Sequence, residues 1–154
     1  MAANRPGRRY AIRSAKRADV EQMAALDARL TGVPKRDYWE GLFAVRGPRD
    51  RNTFLLVATG PGNELLGFIV GEVRAWEFGS LPAGWIFAIE VDPACRLDGI
   101  GTALFDAVCE RFRAAGVAKV RTVMARDQHL IMSFFRSQGM MAGPFTELEM
   151  DLDP

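Results

Sequence analysis

Trp85-Ile86-Phe87-Ala88-Ile89-Glu90-Val91, followed by Asp92-Pro93-Ala94 and by Cys95-Arg96-Leu97-Asp98-Gly99-Ile100-Gly101-Thr102, is the stretch on which the fold turns. The first seven residues form an apolar run with one charge, which is the pattern of a buried strand. Asp92-Pro93 makes a turn, and from Ile100 onward Leu104, Val108 and Phe112 recur every fourth residue beside the small Ala103 and Ala107, which predicts a helix packed closely on a sheet. A glycine-containing loop running straight into a helix presents unpaired backbone N–H groups and the positive end of the helix dipole, and so suits an anion. Gly99 and Gly101 allow close approach there, and the main chain of Leu97, Asp98, Gly99, Ile100, Gly101 and Thr102 can supply converging donors to a phosphate.

Outward from this stretch the period changes twice. Tyr10–Arg13 reads as a short strand, and a helix from about Ala18 to Leu30 carries Val20, Met23, Leu26 and Leu30 at core spacing. A second helix, Arg36 to Arg46, has the stripe Trp39, Leu42, Phe43 and Arg46, and Gly47-Pro48 stops it. The irregular link Thr31-Gly32-Val33-Pro34 suits the border of a substrate entrance. Phe54–Ala58 and Leu65–Gly71, separated by Gly60-Pro61-Gly62-Asn63, read as a hairpin covered on both faces. Trp76 and Phe78 then lie in a loop, where they serve equally as pocket walls or as packing. After the long helix, which ends at Gly116, Lys119–Met124 reads as a strand. Gln128–Gln138 reads as a helix presenting Leu130, Ile131, Phe134 and Phe135, and Phe145–Leu152 as a last strand with Leu148, Met150 and Leu152 buried. The expected order, β-α-α-β-β-β-α-β-α-β, is that of an α+β fold with a mostly antiparallel sheet covered by helices on both faces. It lacks the strict βαβ alternation and early glycine fingerprint of a dinucleotide-binding domain.

Composition narrows the function classes. The 154 residues suffice for one core, with residues 1–9 as a flexible basic tail and 10–154 as the domain. Hydrophobic residues at 49% and charged residues at 25% fit an ordinary globular protein. No apolar run approaches the ~20 residues that span a bilayer, and no secretory signal is visible, so no membrane role and a cytoplasmic location are expected. A net charge of +1 argues against a nucleic-acid surface, although Arg5, Arg8, Arg9, Arg13, Lys16 and Arg17 all precede the first acid, Asp19. Cys95, Cys109 and the single His129 have no metal-ligand spacing, so no metal is expected.

The loop and the element order together resemble the GCN5-related N-acetyltransferase superfamily over Tyr10 to Leu152. Its Gln/Arg-x-x-Gly-x-Gly/Ala signature stands here as Arg96-Leu97-Asp98-Gly99-Ile100-Gly101, after the Val91-Asp92-Pro93 that the family usually carries there. Phe134-Phe135-Arg136-Ser137-Gln138-Gly139-Met140 looks like the family's Tyr-Glu-Lys-Leu-Gly-Phe region. The resemblance implies acetyl-CoA as co-substrate, gripped by Arg96, Leu97, Asp98, Gly99, Ile100, Gly101 and Thr102. By the same resemblance the backbones of Ile89 and Val91 bond the pantetheine arm and thioester, between strands that splay apart, with Gln128 and Phe135 bordering the donor. Three positions depart from the pattern: Leu97 replaces a frequent Gly, Asp98 a frequent Lys or Arg, and Phe135 the Tyr proposed to protonate the leaving thiolate. Gln128 stands at a usual Asn position.

Direct transfer to an amine needs a neutral nitrogen, and ammonium groups first lose a proton. Glu90, alone charged in its strand and expected on the face of Ile86 and Ala88, is the candidate base, and burial would raise its pKa toward a useful range. It reads alternatively as one half of an ion pair with Arg121 or Arg126. His129 and Cys95 are weaker candidates, the thiol having no spaced partner to activate it. The expected function is transfer of an acetyl group to a primary amine of a small molecule, a lysine or a protein N-terminus. The alternatives are a non-catalytic acyl-CoA sensor and an interaction protein that retains only the fold. Exposed edge strands near the C-terminus allow a homodimer.

Overall fold

The computed structural model describes residues 9–46, 50–75 and 77–153. Most of the expected basic tail, the Gly47-Pro48 stop and Trp76 lie outside the described residues. The chain divides into two compact units, residues 1–123 and 124–154.

The first unit is built on an open five-stranded sheet in the order β1-β2-β3-β4-β5. Its strands are β1 (Ala11–Ser14), β2 (Thr53–Thr59), β3 (Leu65–Arg74), β4 (Ala83–Val91) and β5 (Val120–Thr122). The first four pair antiparallel, and β5 lies parallel to β4. The β2–β3 hairpin forms as its turn residues predict, and most of its residues up to Gly71 are buried, as apolar residues on both faces require.

Helices α1 (Val20–Thr31) and α2 (Arg36–Arg46) cover one face. There Met23, Leu26 and Trp39 pack with Val57, Phe68 and Val70, and the Trp39 ring stands edge-on to Phe68 with centroids 5.1 Å apart. Gly32, at φ 75°, ends α1 in a left-handed cap. The other face carries α3 (Ile100–Ala114), whose Ile100, Leu104, Val108 and Phe112 are all buried as their spacing predicts. Phe112 lies directly on the sheet. A Cβ on Gly84 would stand 2.5 Å from its ring and one on Gly71 2.6 Å, so both strand positions must be bare for the helix to dock.

The second unit holds α4 (His129–Ser137), which exposes Leu130. The expected last strand is not there. Residues 145–152 form no strand, and Leu148, Met150 and Leu152 are 80–91% exposed instead of buried. Period-2 alternation says which side chains would share a face of a strand; it supplies no neighbour for the strand's backbone to bond.

Candidate functional site

Strand β4 positions the site, and a bulge in it decides which way the side chains face. Val70 pairs with Ala88, but the next β3 residue, Gly71, pairs with Ile86, so Phe87 is left over. Residues on either side of the bulge therefore point to opposite faces. Ile86 lies opposite Gly71 on the α3 face, whereas Glu90 lies opposite Phe68 on the α1–α2 face. This corrects the expectation that Glu90 shares a face with Ile86; only Ala88 stays with it.

The bulge also sets the backbone edge. Asp92 N–H donates to Leu66 O at 2.8 Å. The backbone groups of Asp92, Glu90 and Ala88 thus face β3 in alternation, and those of Ile89 and Val91 face the other edge. On that other edge β5 pairs only with Gly84–Ile86, while Thr122 Oγ1 donates to Ile86 O at 2.7 Å. Beyond Ile86, among the described residues, no strand covers the N–H and C=O groups of Ile89 and Val91.

The loop after β4 is a run of 3-10 turn, Pro93–Asp98. Asp92 caps it by accepting from Ala94 N–H at 3.0 Å, and Arg29 on α1 bonds the other Asp92 oxygen at 3.3 Å. Gly99 at φ 75° redirects the chain into α3, a conformation that costs glycine little. Gly99, which precedes α3, has no side chain to cap the helix, and the backbone N–H groups of the first turn have the geometry that suits an anion. Leu97, Asp98 and Arg96 are exposed; the acidic side chain of Asp98 therefore sits in water, where its charge is screened. These features fit an elongated acyl donor carrying a diphosphate: anion donors at one end and an open strand edge at the other. Gln128, ahead of α4, and Phe135, on it, belong to the second unit, where the Phe134 and Phe135 rings meet edge-on at 5.3 Å.

Sequence reading missed Glu90's partners. Its carboxyl meets the carboxylate of Asp27, which stands on the inward face of α1 and is 1% exposed. Asp27 Oδ2 accepts from Trp39 Nε1 at 2.9 Å and from Lys35 Nζ at 3.0 Å. Burial first, and then the hydrogen bond and charge of Asp27, push Glu90 up to about 8, while Lys35 pulls the other way. For Asp27, burial raises the pKa, but hydrogen bonds from Glu90, Trp39 and Lys35 outweigh it and hold the group below the ordinary carboxylate range. Around neutrality the pair holds one proton, and it is on Glu90. The alternative ion pair does not form with Arg121, whose guanidinium donates to Ser80 Oγ at 3.0 Å. Helical spacing is the signal that could have found Asp27, since it follows Met23 by four and Leu26 by one on a core stripe.

Burial and the charges of Asp92, Asp98 and Glu64 raise the Cys95 thiol, the reverse of an activated nucleophile. His129 is exposed at the first turn of α4. Among the described residues no cluster of three or more His, Cys, Asp or Glu side chains could hold a metal, and no helix is long and apolar enough to cross a membrane.

Residues 19–140 match the acetyltransferase (GNAT) family. No curated protein matches significantly. Among solved structures the chain is similar to the aminoglycoside N-acetyltransferase AAC(6')-Iy in complex with CoA, at 18% identity and TM-score 0.82, covering 98% of this chain and 99% of that one. An aminoglycoside acetyltransferase from an uncultured soil metagenomic sample, in complex with sisomicin, is similar at 18% identity and TM-score 0.74, over 94% and 97% of the two chains. A transcriptional regulator from Bacillus halodurans is similar at 23% identity and TM-score 0.77, over 93% and 99%. Likeness at these identities is likeness of fold.

Proposed function

Because the chain belongs to the acetyltransferase (GNAT) family, we propose that it moves an acetyl group from acetyl-CoA directly to the primary amine of a small cationic molecule, with Glu90 as the base. The observation that carries this reading is the placement of Glu90: a half-buried carboxyl titrating at about 8, one residue from each of the two backbone positions at the open edge of β4. Acetyl-CoA supplies an activated acyl group as a thioester. The start of α3 and the loop Arg96–Thr102 hold its diphosphate, and the edge groups of Ile89 and Val91 align its acyl arm. Glu90, as carboxylate, takes a proton from the acceptor's ammonium, which frees the nitrogen lone pair for attack. Phe135 has no proton to give, so the thiolate leaves without one from that position, as its modest basicity permits.

The acceptor class follows from charge. An ammonium is favoured beside the Asp27–Glu90 pair, and sisomicin, bound by one similarly folded acetyltransferase, is a suitable first acceptor. The test is calorimetric binding of acetyl-CoA, followed by thiol release and mass-spectrometric detection of product over a panel of aminoglycosides, polyamines, amino acids and peptides. Binding with turnover on a small amine supports the reading. Tight binding with silence across the panel makes the protein an acyl-CoA sensor, and absence of binding leaves only the fold.

A further inference from the structure

The inward face of α1 consists of Val20, Met23, Ala24 and Leu26 together with Asp27, and the position of Asp27 is one an apolar side chain would ordinarily fill. Its carboxylate is 1% exposed and meets Trp39, Lys35 and Glu90. Glu90 reaches it only because the Phe87 bulge turns the end of β4 toward α1. Glu90 Oε2 is buried and accepts no hydrogen bond. Two carboxyl groups that meet where Glu90 Oε2 has no hydrogen-bond partner cannot both be ionised at low cost; one must carry a proton and offer it to the other.

We propose that Asp27 is a positioning residue that keeps the exchangeable proton on Glu90 and, with Lys35 as its counterweight, sets the pH at which Glu90 becomes a base. The inference rests on the acetyl-transfer reading above. In the step concerned, an N–H bond of the acceptor's ammonium breaks, an O–H bond forms on the Glu90 carboxylate, and the nitrogen keeps the electron pair. Asp27 stays ionised throughout and accepts the hydrogen bond of the newly protonated Glu90. Its charge strengthens Glu90 as a proton acceptor, and the Lys35 ammonium limits that effect. The charged groups facing Glu90 are Asp27 from α1 and Lys35 from the link before α2.

The experiment titrates the 154-residue chain by carbon-13 NMR of the Glu90 carboxyl, alongside the pH dependence of thiol release with acetyl-CoA and sisomicin. Asp27→Asn is expected to move the Glu90 midpoint toward acid by about one pH unit or more, Lys35→Gln to move it toward alkali, and the rising limb of the rate profile to follow each shift. Trp39→Phe, which removes the indole donor and keeps an aromatic ring, should move it least. A midpoint that stays at the wild-type value in Asp27→Asn and Lys35→Gln overturns the inference. Should Asp27→Asn fail to fold, Lys35→Gln alone decides on the same criterion. Glu90→Gln separates the two levels. Unchanged thiol release in that variant overturns the base reading itself; loss of thiol release with an unmoved Glu90 midpoint in the other variants overturns only the role of Asp27.

Discussion

Asp19 and Asp27 are equally buried, both at 1% exposure, and both are held below the ordinary carboxylate range, yet the partners that hold them differ. Asp19 lies at the end of a short 3-10 turn leading into α1. Arg13 binds both its oxygens, at 2.6 and 2.9 Å, and Lys16 N–H adds a third bond at 2.7 Å. Burial raises the Asp19 pKa, but these bonds outweigh it and hold the group below the ordinary carboxylate range. A planar guanidinium matches a carboxylate edge to edge, so this site has no proton left to exchange. Asp27 has an indole, an ammonium and a second carboxyl. That second carboxyl keeps a proton which leaves near pH 8. Burial alone therefore does not mark a chemical site; the identity of the partner does. A forked cation makes a buried acid structural, whereas a buried carboxylate beside a second acid raises that second acid, here Glu90, to about 8.

The contrast is broken most sharply at Glu90. Replacing it by Gln should lower acetyl transfer by about 10³-fold, as loss of a general base does, with acetyl-CoA affinity by calorimetry unchanged. A residual rate within a few fold of wild type would make the Asp27 pair as structural as the Asp19 pair. At the other site, Asp19→Asn leaves the Arg13 guanidinium without its anion. It should cost about 3 kcal/mol of unfolding free energy, read from denaturant midpoints, while acetyl transfer per folded molecule is retained.

The two sites should also respond oppositely to pH. Glu90, with a pKa raised to about 8, keeps in the native state a proton that the unfolded chain loses near the ordinary carboxylate value. Stability should therefore decline as pH rises through that interval and level off above about 8. Asp19, with a lowered pKa, contributes stability at neutral pH that disappears as pH falls below the ordinary carboxylate range. Denaturant midpoints across pH should show the alkaline decline vanish in Glu90→Gln and the acid loss shrink in Asp19→Asn. The smallest effect belongs to an acid that is neither buried nor paired. Asp98→Asn should tighten acetyl-CoA by less than about 5-fold, and the gain should fade in high salt, because exposed charges are screened.

Much of this fold is local, and that part is readable along the chain. The four-residue spacing of Ile100, Leu104, Val108 and Phe112 identifies α3 and its buried face. Gly99, placed where the chain must turn left-handed before α3, marks the turn at which the proposed anion site begins. What failed was non-local. Leu148, Met150 and Leu152 alternate as a strand would, but alternation cannot provide a bonding neighbour, and these side chains stand exposed. Glu90 was legible as the one charge of β4, whereas its partner Asp27 comes from α1, and Asp27 is held in turn from the link after α1 and from α2.

The amino-acid sequence by itself determined the elements, the family signature from Arg96 to Gly101 and the candidacy of Glu90, because periodicity, turn chemistry and a lone charge in an apolar run are properties of neighbours in the chain. Only the tertiary structure decided what Glu90 does with its proton. One extra residue at Phe87 reverses the face of everything after it on β4, and a side chain's titration depends on what that face meets. Here it meets Asp27.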